Sequence, residues 1–93
     1  MAIAPQEIIS LAMDAGYDDA TAGLARIEDL SDPWLLAACL HSVGHLARRF
    51  GRYPGTEAAR FWAEATARPE EKPVAGALED AEDDILKYSA AAE

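Results

Sequence analysis

Three observations predict an all-α fold for this chain of 93 residues. Apolar residues recur at spacings of three and four in several stretches, the period of an amphipathic helix rather than the alternation of a strand. Residues that start and stop helices, such as Asp-Pro, Gly and Pro, fall at the edges of those stretches. Alanine, the strongest helix former, supplies much of the 51% apolar content. The architecture read from these is a single small bundle of four to five helices with the 32–50 helix central, forming one domain over 1–93.

Pro5 opens a first helix, with Glu7 in its first turn and Ile8, Ile9, Leu11, Ala12 and Ala15 as apolar residues. Gly16 is predicted to close it, with Tyr17 folding back over the last turn in a Schellman-type cap. Asp18 is the predicted N-cap of a second helix running to about residue 29, anchored by Leu24 and Ile27. Gly23 weakens that helix by about 1 kcal/mol relative to Ala. Asp14, Asp18 and Asp19 lack the alternation and closing Glu of a calcium loop, so capping explains them better.

The central helix carries the clearest signals. Asp32 is placed to cap it and Pro33 to begin it. Leu36, Cys39, Leu40, Val43, Leu46, Ala47 and Phe50 form one apolar face. Arg48 and Arg49 suit the negative helix end, and Gly51 suits a left-handed stop. The opposite face holds Trp34, His41, His45 and Arg48 with Ala37 and Ala38, and no Glu or Lys. Such a face is either covered by a second layer of the same domain or reserved for contact with another molecule.

Tyr53-Pro54-Gly55-Thr56 reads as a type II turn, after which Thr56 caps a fourth helix over 57–67. Its anchors are Ala58, Phe61, Trp62 and Ala65. Phe61 and Trp62 are neighbours, so one points inward and the other reaches a flank or an exposed groove. Residues 69–73 form a short linker before a C-terminal acidic amphipathic helix, 73–89. Val74, Ala77, Leu78, Ala81, Ile85 and Tyr88 make its apolar face, while Glu79, Asp80, Glu82, Asp83 and Asp84 fill most of the other. Residues 90–93 are expected to fray. No strand pattern is visible.

Charge is distributed unevenly. Residues 1–40 carry −6, residues 41–68 carry +3 and residues 69–93 carry −6, for a net −9. That excess of acid opposes nonspecific attachment to nucleic acid or to an anionic membrane. A single cysteine excludes an internal disulfide. No run approaches the length of a membrane helix, and no signal-peptide pattern is present, so a cytoplasmic location is expected.

Chemistry has little purchase. His41 and His45 have the i,i+4 spacing that lets two imidazoles share a metal, but the residue after His41 is Ser42 rather than Glu. Cys39 sits roughly 160° around the helix from His41, at 100° per residue, and joins the apolar face instead. No metal, cofactor or small-molecule substrate is therefore expected. Serines lie in no nucleophile elbow and no glycine-rich phosphate loop occurs. The chain reads as no enzyme.

Leu46 to Gly51, a turn, and then Thr56 to Trp62 resemble a helix-turn-helix in outline, with Ala47 and Gly51 at the small–small spacing. The resemblance covers about 22 of the residues. It implies DNA binding through the basic 46–62 segment, with Arg48, Arg49, Arg52 and Arg60 as the cations. The turn is about one residue longer than the motif needs, and Glu57 and Glu64 lie on the would-be recognition helix.

The leading expectation is a non-catalytic helical module, a regulator, inhibitor or accessory subunit, that binds a protein partner or itself. The expected surface is Trp34, His41, His45, Arg48, Arg49, Arg52, Tyr53 and Trp62, because interfaces favour Trp, Tyr and Arg. The acidic face of the last helix offers a second surface, suited to a basic site on a partner.

Overall fold

The computed structural model describes residues 4–88 and 91–92. Five helices follow in order: α1 (Pro5–Asp14), α2 (Tyr17–Ala25), α3 (Pro33–Phe50), α4 (Gly55–Thr66) and α5 (Lys72–Tyr88). Two short strands, β1 (Arg52–Tyr53) and β2 (Ala91–Ala92), pair in parallel. The fold is an all-α bundle, as the periodicity predicts.

α3 lies between α1 and α5, making its broadest contact with α5 and the next broadest with α1. The contacts advance in one direction along all three helices. Pro5 and Pro73 border the same groove as Trp34. Farther along, the Ile8 carbonyl oxygen approaches the Ser42 hydroxyl, and Ala81 lies against Gly44. At the far end Arg49 reaches Ala12 and Ala15, while Arg48 reaches Asp84 and Tyr88. The three helices thus run parallel, with α2 and α4 inside the two crossover connections.

The apolar face of α3 is buried as expected. Leu36, Cys39, Leu40, Val43 and Leu46 are inaccessible and join Ile8, Leu24, Phe61 and Val74 in one core. Each such large aliphatic side chain contributes roughly 1.5–3 kcal/mol by leaving water. The polar Ser42 is fully buried beside that core; its hydroxyl donates to the Ala38 carbonyl oxygen at 2.7 Å, which removes the cost of its burial. The Asp32 carboxylate accepts from the Trp34 N–H at 2.9 Å, and Gly51 adopts φ 71 at the other end. Both predicted ends of the central helix are in place.

Several local expectations are corrected. Gly16 does not close α1 in a left-handed cap. It has φ −67 and is the N-cap of α2, while Ala15 ends α1 with its N–H on the Leu11 carbonyl oxygen. Only two residues separate the helices, and the chain enters α2 directly. Tyr17, expected to fold back over α1, is the first residue of α2, and Asp18 is in its first turn rather than at its cap. α2 also stops at Ala25, four residues before the expected end. Ile27 and Leu30 are buried all the same, from the irregular segment that follows.

The type II turn is absent. That turn needs positive φ at its glycine, but among the described glycines only Gly51 has it. Gly55 is instead the first residue of α4, and Pro54, not Thr56, is the N-cap. Pairing of β1 with β2 keeps the chain extended up to Tyr53, which leaves the helix to start immediately afterwards. Phe50 is not a core residue: it is 37% exposed. It is the last residue of α3, at the edge of the bundle, where its ring meets the Tyr17 ring edge-on at the α1–α2 junction.

The two-residue strands left no mark in the sequence, since two extended residues are too short for an alternating pattern. Their pairing follows from α3 and α5 running side by side, which brings both exits together. Ala91 and Ala92 therefore pair rather than fray. The rest of that expectation, and the end of α5 at Ser89, lie outside the described residues.

Candidate functional site

The eight residues expected to form one surface are distributed over several places. α5 lies across the second face of α3: Ala37, Ala38 and Gly44 are buried, and His41 and His45 are half-buried. Of the covered-or-exposed alternatives for this face, covering applies to most of it. The exceptions are Trp34, at 65% exposure, and Arg48, which is exposed in the last turn.

Trp34 stands at the open end of the α1–α3–α5 layer. There it borders a groove of about 440 Å³ with Ile9, His41, Pro73 and Gly76. Its position is set by the cap: Asp32 fixes the Trp34 amide, and Pro33 holds the first turn, so the indole projects from the helix start. Lys72 and Asp80 add one charge of each sign.

His45 and Arg48 lie farther along the α3–α5 seam. The Arg48 Nε is 3.6 Å from Asp84 Oδ1, and its guanidinium lies 5.5 Å from the centre of the Tyr88 ring. His45 has its pKa lowered, first by burial and then by the charges of His41 and Arg48, against a smaller opposing effect of Asp84. The imidazole is thereby biased toward its neutral form. His41 and His45 gain no third ligand: among the described residues no group of three His, Cys, Asp or Glu side chains is placed to hold a metal ion.

Arg49 turns the other way. Its Nη1 donates to the Ala12 and Ala15 carbonyl oxygens at 2.7 and 2.8 Å, capping the end of α1. Arg52 stacks over the Tyr17 ring at 4.0 Å, and that ring meets Phe50 edge-on at 5.5 Å. These two arginines knit the end of α3 to the α1–α2 junction.

Two further arginines extend the same device, and the sequence reading gave neither this role. Arg60 Nη1 donates to the Ile27 carbonyl oxygen at 2.6 Å and Nη2 to that of Leu24 at 3.2 Å, closing the end of α2. Arg68 donates to the carbonyl oxygens of Leu30 and Ser31 and pairs with Glu71, whose carboxyl is held below its usual range by that hydrogen bond. Guanidinium groups thus replace the missing glycine caps. The signal was present as an arginine-rich middle segment, but nothing in it specified partners more than 30 residues away.

Tyr53 and Trp62 come together at a second groove, between α4 and α5, of about 650 Å³. Phe61 is fully buried, and its neighbour Trp62 lines this groove half-exposed. Ala58 and Ile85 continue the apolar lining, and Leu86 stands at its edge 84% exposed. Glu79, Glu82 and Asp83 border it on the α5 side. Leu86 was legible as an oddity, an apolar residue off the α5 stripe and beside acids.

Cys39 is buried, and burial pushes its thiol up to about 12, so it presents no thiolate near neutrality. Among the described residues no helix is long and apolar enough to cross a membrane. Searches against protein-family models, curated proteins and solved structures gave no match.

Proposed function

We propose that this chain is a non-catalytic helical module that binds a protein partner or a second copy of itself. The exposure of Trp34 carries the reading. A tryptophan 65% open to water, held by a capped helix start beside an apolar groove, is costly to hydrate and is the kind of anchor that dominates protein contacts. Leu86, at 84%, repeats the feature on the second groove. The two indoles sit on different grooves, so the module offers two contact regions instead of the single patch read from the sequence.

The helix-turn-helix alternative draws less support. Arg49 and Arg60 direct guanidinium donors at carbonyl oxygens of their own chain, and Arg48 faces Asp84. Fewer cations then remain for phosphates. β1 also intervenes between α3 and α4, in place of the tight turn of that motif.

The test compares wild-type and Trp34→Ala chains of matched helicity. One defined partner recovered from the native cell by wild type and lost by the variant supports the reading. So does a wild-type dimer in light scattering that the variant abolishes. A monomer that recovers the same proteins with or without Trp34 overturns it. Binding to duplex DNA at low salt, weakened by Arg48→Glu, would transfer the assignment to the alternative.

A further inference from the structure

The geometry points to the α4–α5 groove as the docking site for a basic amphipathic helix of a partner protein. This rests on the interaction-module reading and names the chemistry of the partner. The floor is aromatic and aliphatic, from Tyr53, Trp62, Ala58 and Ile85. Its α5 wall carries Glu79, Glu82 and Asp83 and ends in Leu86, at spacings that place all four on one helical stripe. Among the described residues no Lys or Arg lines the groove. An apolar channel with acid along one wall complements a helix with an apolar stripe flanked by Lys or Arg.

Charge complementarity also decides between occupants. A second copy of this chain carries net −9, and its two end segments are the acidic ones. The arginines of its middle segment are engaged within their own chain: Arg49 and Arg60 bind main-chain carbonyls, Arg68 binds carbonyls and Glu71, Arg48 faces Asp84 and Arg52 lies over the Tyr17 ring. A copy would bring acid to acid. An acidic or neutral apolar helix would leave the carboxylate wall uncompensated, whereas a basic one pairs with it while covering Leu86 and Trp62.

The two indole N–H groups make the test specific, because Trp62 reports on this groove and Trp34 on the other. The intact, isotope-labelled chain is titrated with a synthetic 16-residue helical peptide bearing Leu or Phe at i, i+3, i+4 and i+7 and Lys or Arg between them. A matched peptide with Glu at every basic position is the control. Saturable shifts of the Trp62 indole and of α5 amides around 79–86, with Trp34 unmoved and the acidic peptide inert, are the expected result. Affinity should fall about tenfold or more in Leu86→Asp and in the Glu79→Lys/Glu82→Lys double variant. All three positions are exposed, so helicity is retained.

Equal binding of both peptides, shifts confined to Trp34, no binding at millimolar peptide, or indifference to the variants overturns the inference. Self-association of the chain alone that Leu86→Asp abolishes also overturns it, by assigning the groove to a second copy. The two readings fail separately. If partner capture depends on Trp34 but ignores the groove variants, the module reading stands and this docking site falls.

Discussion

Gly44 of α3 packs directly against Asp84 of α5, with no room between them for a side chain. A Cβ at position 44 would lie 2.9 Å from Asp84 Oδ2 and 3.3 Å from the Cα of Ala81. The carboxylate can swing aside, but the main chain at Ala81 cannot move without parting the helices. Gly76 on α5 is the contrast, with nothing within 4 Å of its Cβ position.

These two glycines give opposite predictions from the same substitution. Gly76→Ala should stabilise the chain by about 0.5–1 kcal/mol, the helix-propensity gain alone. At Gly44 the same gain is opposed by crowding, and overpacking costs about 1–3 kcal/mol. Gly44→Ala should therefore be net destabilising or neutral, and Gly44→Val clearly destabilising. Urea midpoints of the three variants check this; stabilisation of both alanine variants would show that the α3–α5 seam is loose.

Arg60 should matter to stability more than a half-exposed cation usually does. Its guanidinium satisfies the Leu24 and Ile27 carbonyl oxygens at the end of α2 and lies 5.0 Å from the Phe61 ring centre. Hydrogen bonds to a charged donor contribute roughly 1.5–3 kcal/mol, with partial exposure pulling toward the low end. Arg60→Ala is expected to cost about 1.5 kcal/mol. Arg60→Lys should recover only part of it, because one ammonium cannot reproduce the planar two-nitrogen fork. Equilibrium unfolding measures both, and amide exchange should show the loss first at residues 24–30.

Acid should weaken the α3–α5 seam through His45. Its folded pKa is lowered by burial and by His41 and Arg48, so the unfolded chain takes up this proton first as pH falls. The contribution is complete above the ordinary histidine value, about 6.5, and is lost as pH drops through the lowered folded value. Unfolding free energy should therefore decline from pH 7.5 to 5.5, and His45→Gln should flatten that slope. His41→Gln should flatten it partly, by removing one source of the repulsion. Equal slopes in all three chains would contradict the assignment.

The route from pattern to structure differs among the elements. The α3 termini were legible because their signals are local: Asp32 lies two residues from the amide it caps, and Gly51 serves the helix it follows. The α4 and α2 termini were not. Gly55 shares a turn-like sequence with its neighbours, but pairing between residues 52–53 and 91–92 overrode it. The end of α2 carries no stop signal of its own and is closed by Arg60 from α4.

By itself the sequence determined the helical class, the central position of α3 and the side of it that enters the core. Those properties follow from periodicity and from contacts within one turn, which the order of residues encodes directly. Tertiary structure decided the rest: that α5 covers most of the second face of α3, that Trp34 and Trp62 serve separate grooves, and that four arginines of the basic middle fasten the fold. Those outcomes depend on which helices become neighbours and on donors meeting carbonyls more than 30 residues away. Local spacing carries no record of such distances, because they are set by the packing of helix on helix.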